Sequence, residues 1–167
     1  MDMNKIQAAI ITMSDSRSKS NEKVDESGAV IKEILEANDY EVVHYELISD
    51  DLDGIKNSLI RVCDQNISLV LTTGGTGLSK RDNTPEATKA VIEKEVQGIS
   101  EAMRYHSLQI TPRAMLSRGV SGIRQNSLII NLPGSPKAVR ENLEYIIPSL
   151  RHGLEILRGE ASNCARK

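Results

Sequence analysis

The chain has 167 residues, 39% hydrophobic and 26% charged, with Lys+Arg 21 against Asp+Glu 23 and a net charge of −2. That length fits one globular domain able to bury a real core, and the balanced charge excludes a basic nucleic-acid footprint or a polybasic membrane surface. Trp and Phe are absent and aromatics reach only 2%, so the core must be aliphatic and a planar ligand must be read by backbone and polar groups rather than by stacking.

Residues 6–13, IQAAIITM, read as a buried strand. The polar stretch 14–27 is long for a strand-to-helix loop. Val24, Ile31, Ile34 and Leu35 then fall at helical spacing, ending near Asn38. Residues 40–48, YEVVHYELI, alternate like a strand, and SDDLDG leads into a helix carrying Leu52, Ile55, Leu59, Ile60 and Cys63 on one side. Residues 67–72, ISLVLT, read as a third strand, buried on both faces.

Strand alternating with helix in this way predicts an α/β fold: a mostly parallel sheet with right-handed crossover helices. Further on, Pro85 to about Glu95 and residues 99–108 read as helices, and the glycines in 119–126 mark a hairpin. Residues 127–135, SLIINLPGS, read as a last buried strand ending in a turn. In the C-terminal segment Val139, Leu143, Ile146, Ile147, Leu150, Leu154 and Leu157 repeat at threes and fours, and Pro148 predicts a kink or a fresh helix start. Residues 1–160 are therefore taken as one domain, with a loose polar tail at 161–167.

Cys63, Cys164, His44, His106 and His152 are scattered, without metal spacing or a disulfide framework. No apolar run reaches the roughly 18 residues of a membrane span, and the opening MDMNKIQ has no secretory apolar core. The expected location is the cytoplasm.

Ligands of open parallel sheets bind beyond the carboxyl ends of the strands. Four such ends stand out: SDSRS from Ser14, SDD from Ser49, TGGTGLSKRDNTPEA from Thr73, and NLPGSPKAV from Asn131. Gly74, Gly75, Thr76 and Gly77 allow successive amides to converge on an anion, though a glycine cluster alone is as often a tight turn. Thr84 is expected as the N-cap of a helix with Pro85 at its first position and Glu86 beside it, and a helix start favours negative charge. Ser135 and Pro136 repeat the device. Lys137 in that first turn opposes the helix dipole, which makes sense if it faces an anion and otherwise reads as a solvated lysine.

The glycine segment is neither a Walker loop nor a GxGxxG fingerprint. Asp82 lies within its turn; capping or a pairing with Lys80 or Arg81 is its plainest role. Asp51 and Asp53 read as helix caps, and Asp50 as the acid best placed to face a cleft. Carboxylates beside a phosphate site usually hold Mg²⁺. No histidine falls in these loops, and there is no evident covalent nucleophile.

TTGGTGLSKRDNTPEA followed by NLPGSPKAV strongly resembles the MogA/MoaB group of molybdenum cofactor biosynthesis proteins, and SDSRS and ISDD extend the similarity over nearly the whole chain, from about Ile6 to Gly159. The resemblance implies a three-layer α/β/α, molybdopterin-binding-like fold and molybdopterin adenylyltransferase activity with ATP as co-substrate and Mg²⁺ as cofactor. It also implies a homo-oligomer, trimeric or in some members hexameric, and a downstream molybdenum-insertion protein as partner; neither nucleic acid nor membrane is implied. Carried over residue by residue, it assigns Asp50 and Asp82 as catalytic and as Mg²⁺ ligands. Ser14, Asp15, Thr73, Gly74, Gly75, Thr76, Gly77, Thr84, Pro85, Glu86, Asn131, Pro133, Gly134, Ser135 and Lys137 become substrate-binding. SDD stands where the family carries a PDE-like motif, so the neighbours of Asp50 differ. A molybdopterin carrier without turnover is the alternative reading, since some compact members have lost activity.

Overall fold

A computed structural model describes residues 5–15 and 24–160. Its element order is β1 (Ile6–Met13), α1 (Glu26–Ala37), β2 (Tyr40–Ile48), α2 (Leu52–Asp64), β3 (Leu69–Thr73), α3 (Thr84–Val91), β4 (Lys94–Glu95), α4 (Gln97–Leu108), a 3-10 turn (Pro112–Leu116), β5 (Ser121–Arg124), β6 (Ser127–Leu132) and α5 (Pro136–Leu157). The six strands form one sheet in the order β2-β1-β3-β6-β5-β4. The first four in that order run parallel, whereas β5 is antiparallel to both β6 and β4.

Side-chain alternation along the strands splits the core in two. Ile6, Ala8 and Ile10 of β1 face one layer with Ile31 and Leu35 of α1 and Leu143, Ile147 and Leu154 of α5. Ala9, Ile11 and Met13 face the other with Ile55, Leu59 and Val62 of α2 and Ala87 and Val91 of α3. The three-layer expectation holds, and the core is aliphatic apart from Tyr40. Cys63 is buried within the second layer, a small apolar filler, and burial pushes its thiol pKa up.

Four expectations need correction. Val24 lies outside α1 and is 76% exposed; the N-cap of α1 is Asp25, whose carboxylate accepts from the Gly28 amide at 3.0 Å. The helix after the glycine turn stops at Val91, because Glu93 and Val96 donate to Ile123 and Ser121 across a short antiparallel ladder. The hairpin turns at Gln125 and Asn126, with Gln125 at φ 52, rather than at a glycine; Gly122 instead sits within β5, where a Cβ would lie 2.7 Å from the Lys94 carbonyl. Finally, no fresh helix starts at Pro148: α5 continues through it to Leu157. Pro148 and Glu144, whose carbonyl would lose its partner, both lie on the exposed face, where water replaces the missing bond.

The expected polar tail, 161–167, lies outside the described residues, as do Cys164 and most of the polar stretch after β1.

Candidate active site

Parallel pairing sets Met13 opposite Ile48, Thr12 opposite Thr73, and Thr73 opposite Leu132. The chain therefore leaves β1, β2, β3 and β6 at a common edge, and the described residues of the four predicted loops meet there. Thr73 donates its hydroxyl to the Pro133 carbonyl at 2.6 Å, and a Cβ on Gly134 would lie 3.5 Å from the Cα of Gly74. The two glycine-bearing loops are thus in direct contact. Ser27 of α1 holds the second loop through the Gly134 carbonyl at 2.7 Å.

The glycine turn is built by positive dihedrals at Gly74 (φ 91) and Gly75 (φ 68). Side chains are excluded at both: a Cβ would overlap the Met13 carbonyl at Gly74 and the Thr84 hydroxyl at Gly75. Among the described residues, the main-chain amides of Gly75, Thr76 and Gly77 donate to no partner. They are the donors an anion would meet.

The helix start at Thr84 behaves differently from expectation. Asn83 occupies the N-cap position without a side-chain cap bond, and Thr84 is the first helical residue. The Thr84 hydroxyl donates to the Gly74 carbonyl at 2.9 Å and its amide to the Gly75 carbonyl at 3.2 Å. Pro85 has no N–H. This end of α3 therefore contributes its dipole, while the Thr84 amide is spent on the turn. At the second start Ser135 caps as expected, accepting from the Ala138 amide at 3.2 Å. Lys137 is well exposed, with Nζ 3.9 Å from Glu141.

Two acids frame the turn. Asp15 and Asp50 exchange bonds: the Asp15 amide donates to Asp50 Oδ2 at 3.1 Å and the Asp50 amide to Asp15 Oδ1 at 3.0 Å. Arg81 grips the Asp15 carboxylate with Nε and with Nη2 at 2.9 Å. Asp51, as expected, caps α2 through the Gly54 amide at 2.7 Å; Asp53 is exposed beside Lys56. Asp50 Oδ1 is buried with no hydrogen-bond partner among the described residues, close enough that a Cβ on Gly75 would sit 3.0 Å from it. Burial above all, then the carboxylates of Asp15 and Asp82, pushes the Asp50 pKa up, against the Asp15 amide and Arg81. Asp82 lies across the turn; its Oδ2 accepts from the Ser79 amide at 3.0 Å and would be 2.9 Å from a Cβ on Gly77.

Asn131 is 2% exposed. Its amide nitrogen donates to the hydroxyls of Thr72 and Thr88, both at 2.9 Å, and its oxygen accepts from the Val120 amide at 3.1 Å. Its polar atoms are committed, so it builds the edge. Ser14 continues β1 by donating its amide to the Ile48 carbonyl at 2.9 Å. Beside Asn131 and Pro133 opens a cavity of about 220 Å³, rimmed by Ser107, Arg113, Ser117 and Glu141.

Arg118 was not among the sequence candidates. It donates to the Gly77 and Asp82 carbonyls, each at 2.7 Å, and pairs with Glu86. Burial raises the Glu86 carboxyl, but the Arg118 hydrogen bond and charge, with its own amide, outweigh this and hold it below the usual range.

A family model described as "Probable molybdopterin binding domain" matches residues 9–152. The chain is 45% identical over 161 residues to a molybdopterin adenylyltransferase of Helicobacter pylori strain J99, covering 94% of this chain and 90% of that protein. It is 38% identical over 152 residues to molybdenum cofactor biosynthesis protein B of Staphylococcus aureus strain COL, covering 88% and 89%. Among solved structures, the molybdopterin biosynthesis enzyme MoaB of Thermus thermophilus superposes with a TM-score of 0.86 at 44% identity, covering 92% of this chain and 97% of that one.

Proposed function

The chain belongs to the MogA/MoaB family of molybdopterin-binding proteins of molybdenum cofactor biosynthesis, and from that premise we propose that it is a molybdopterin adenylyltransferase. In this reaction an oxygen of the terminal phosphate of molybdopterin attacks the α-phosphorus of ATP. The bond from that phosphorus to the bridging oxygen breaks, and pyrophosphate leaves with the electron pair. A phosphoanhydride joins AMP to molybdopterin, and no covalent enzyme intermediate is needed.

The observation that carries this reading is the buried, unpartnered Oδ1 of Asp50 set against a glycine turn with unpaired amides. Chemistry of this class is chiefly positioning and charge neutralisation. The amides of Gly75, Thr76 and Gly77 bind phosphate oxygens, and Lys137 adds a cation at the second loop. Arg81 and Asp15 orient Asp50 through the Asp15–Asp50 exchange. The adjoining cavity takes the pterin, whose polar edges meet side chains such as Ser107 and Ser117 rather than aromatic faces.

The residues fit Mg²⁺. A buried carboxylate oxygen without a donor, in the field of the Asp15 and Asp82 charges, is a place for a cation. Mg²⁺ is commonly held by one or two carboxylates together with substrate phosphates, and Asp50 with Asp82 would supply them. When bound it would neutralise phosphate charge. Among the described residues no group of three or more His, Cys, Asp or Glu gathers at one point, in keeping with an ion held jointly with the nucleotide.

The same reading takes residues 1–160 as one cytoplasmic domain acting as a homo-oligomer, a trimer, that passes its product to a molybdenum-insertion protein. Exposed Tyr105 of α4 and exposed Met115 and Leu116 of the 3-10 turn packed against that helix support assembly. Among the described residues no helix is long and apolar enough to cross a membrane.

The test is turnover of molybdopterin and Mg-ATP by the wild type, Asp50→Asn and Asp82→Asn. One pyrophosphate per adenylylated molybdopterin is expected, with both variants severely impaired. Full activity in both would refute the assigned roles; tight binding without product would leave a carrier.

A further inference from the structure

The turn spanning residues 77–82 carries Asp82 on one side and ends the glycine segment on the other. Its carboxylate is fixed internally: Asp82 Oδ2 accepts from the Ser79 amide at 3.0 Å, and the Asp82 amide donates to the Ser79 carbonyl at 3.0 Å. That closes the turn on itself but does not aim it.

From outside, Arg81 ties the turn to Asp15, the Asn83 side-chain amide links the Arg81 carbonyl to that of Asp50 at 3.3 and 3.2 Å, and Arg118 grips both ends of the turn. Arg118 lies between the 3-10 turn and β5. Its amide donates to the Thr76 carbonyl at 2.9 Å. Its Nε donates to the Gly77 carbonyl and its Nη2 to the Asp82 carbonyl, both at 2.7 Å. Its Nη1 donates to Glu86 on the first turn of α3. One planar guanidinium therefore bridges both ends of the turn and the helix that follows. A lysine ammonium cannot span three acceptors arranged for a fork.

We propose that Arg118 is a positioning residue for adenylyl transfer, holding the 77–82 turn so that Asp82 and the glycine-turn amides face the reacting phosphates. This rests on the adenylyltransferase reading. The Glu86 carboxylate pairs with the Arg118 charge, so the guanidinium serves the turn and does not compete for phosphate. Glu86, expected at the sequence level to touch substrate, acts through Arg118.

Two measurements on the full chain test this. In Arg118→Lys the kcat for adenylylated molybdopterin falls roughly ten- to a hundredfold, the scale of a small misplacement of reacting groups, while KM for ATP changes by less than about threefold. Methylguanidinium restores part of the rate of Arg118→Ala and none of the rate of Asp82→Asn. Separately, amide hydrogen exchange of Arg118→Lys speeds up at residues 76–83 and stays at wild-type values in β1, β3 and β6.

Unchanged exchange at 76–83 overturns the proposal, as does faster exchange with wild-type kcat. If the wild type makes no product, the adenylyltransferase reading fails, and the exchange data still decide whether Arg118 holds the turn. Should Arg118→Lys fail to fold, Glu86→Gln makes the same distinction: the same shifts in smaller measure support the role, and wild-type kcat with wild-type exchange overturns it.

Discussion

Replacing Gly75 by alanine perturbs the glycine turn at its tightest point. Gly75 sits at φ 68, a conformation costing an L residue about 1–2 kcal/mol. The new methyl would overlap the Thr84 hydroxyl and lie 3.0 Å from Asp50 Oδ1. Moving Thr84 aside breaks its 2.9 Å bond to the Gly74 carbonyl, worth about 1 kcal/mol. The sum is about 2–3 kcal/mol; at about 2–4 °C per kcal/mol for a chain of this size, Tm should fall by about 5–10 °C. Gly98→Ala is the control: no atom lies within 4 Å of its Cβ and its φ is not positive, so alanine in that helix should be neutral or stabilising by up to about 1 kcal/mol. Adding Thr84→Ala to Gly75→Ala removes the overlapping hydroxyl, so the double variant should lose less than the sum of the singles. Urea and thermal unfolding of the three single variants and the double variant, each against wild type, read all of this. A Gly75→Ala protein as stable as wild type would refute the reasoning.

Other outcomes follow from the same geometry. Because burial raises the folded pKa of Asp50, its ionised form costs stability that is regained as pH falls through the raised value toward the unfolded one. Asp50→Asn should therefore be more stable than wild type in Mg²⁺-free buffer at neutral pH, with the gap shrinking as pH falls through the raised value and gone by about pH 4; a gap that widens on acidification would contradict the assignment. Pro148→Ala restores an intrahelical bond to the Glu144 carbonyl in an unbroken helix, and thermal unfolding should show a gain of about 1–2 kcal/mol after the entropy lost from the unfolded chain is offset. Asp15→Asn loosens both the Arg81 grip and the exchange with Asp50. It should lower kcat more than it alters molybdopterin affinity, as single-turnover kinetics and calorimetry can separate.

The sheet was legible from strand patterning: residues 6–13, an almost continuous buried run, and 40–48, an alternating edge strand, coincide with β1 and β2, and the strand ends fall at the common edge where strand-end logic puts them. What failed depends on partners distant in the chain. Helix α3 ends early because Glu93 and Val96 find β5, and no local pattern announces a two-residue strand. Proline at 148 is tolerated because it faces water, which periodicity could have indicated but propensity argued against. Thr84 looked like an N-cap because its type and the following proline fit, yet its hydroxyl is drawn to the Gly74 carbonyl. Arg118 carries no local pattern that reveals this role, because its targets lie 41 and 36 residues upstream.

The central claim is that ligand phosphates meet the amides of the glycine turn at the carboxyl edge of the sheet. Amide chemical-shift mapping of the labelled protein with molybdopterin and Mg-ATP tests it most directly. The account predicts the largest shifts at Gly75, Thr76 and Gly77, with a second set at Asp50 and Lys137. Shifts concentrated at Lys5, Asn66 and Asn126, around the polar hollow at the opposite edge, would contradict it.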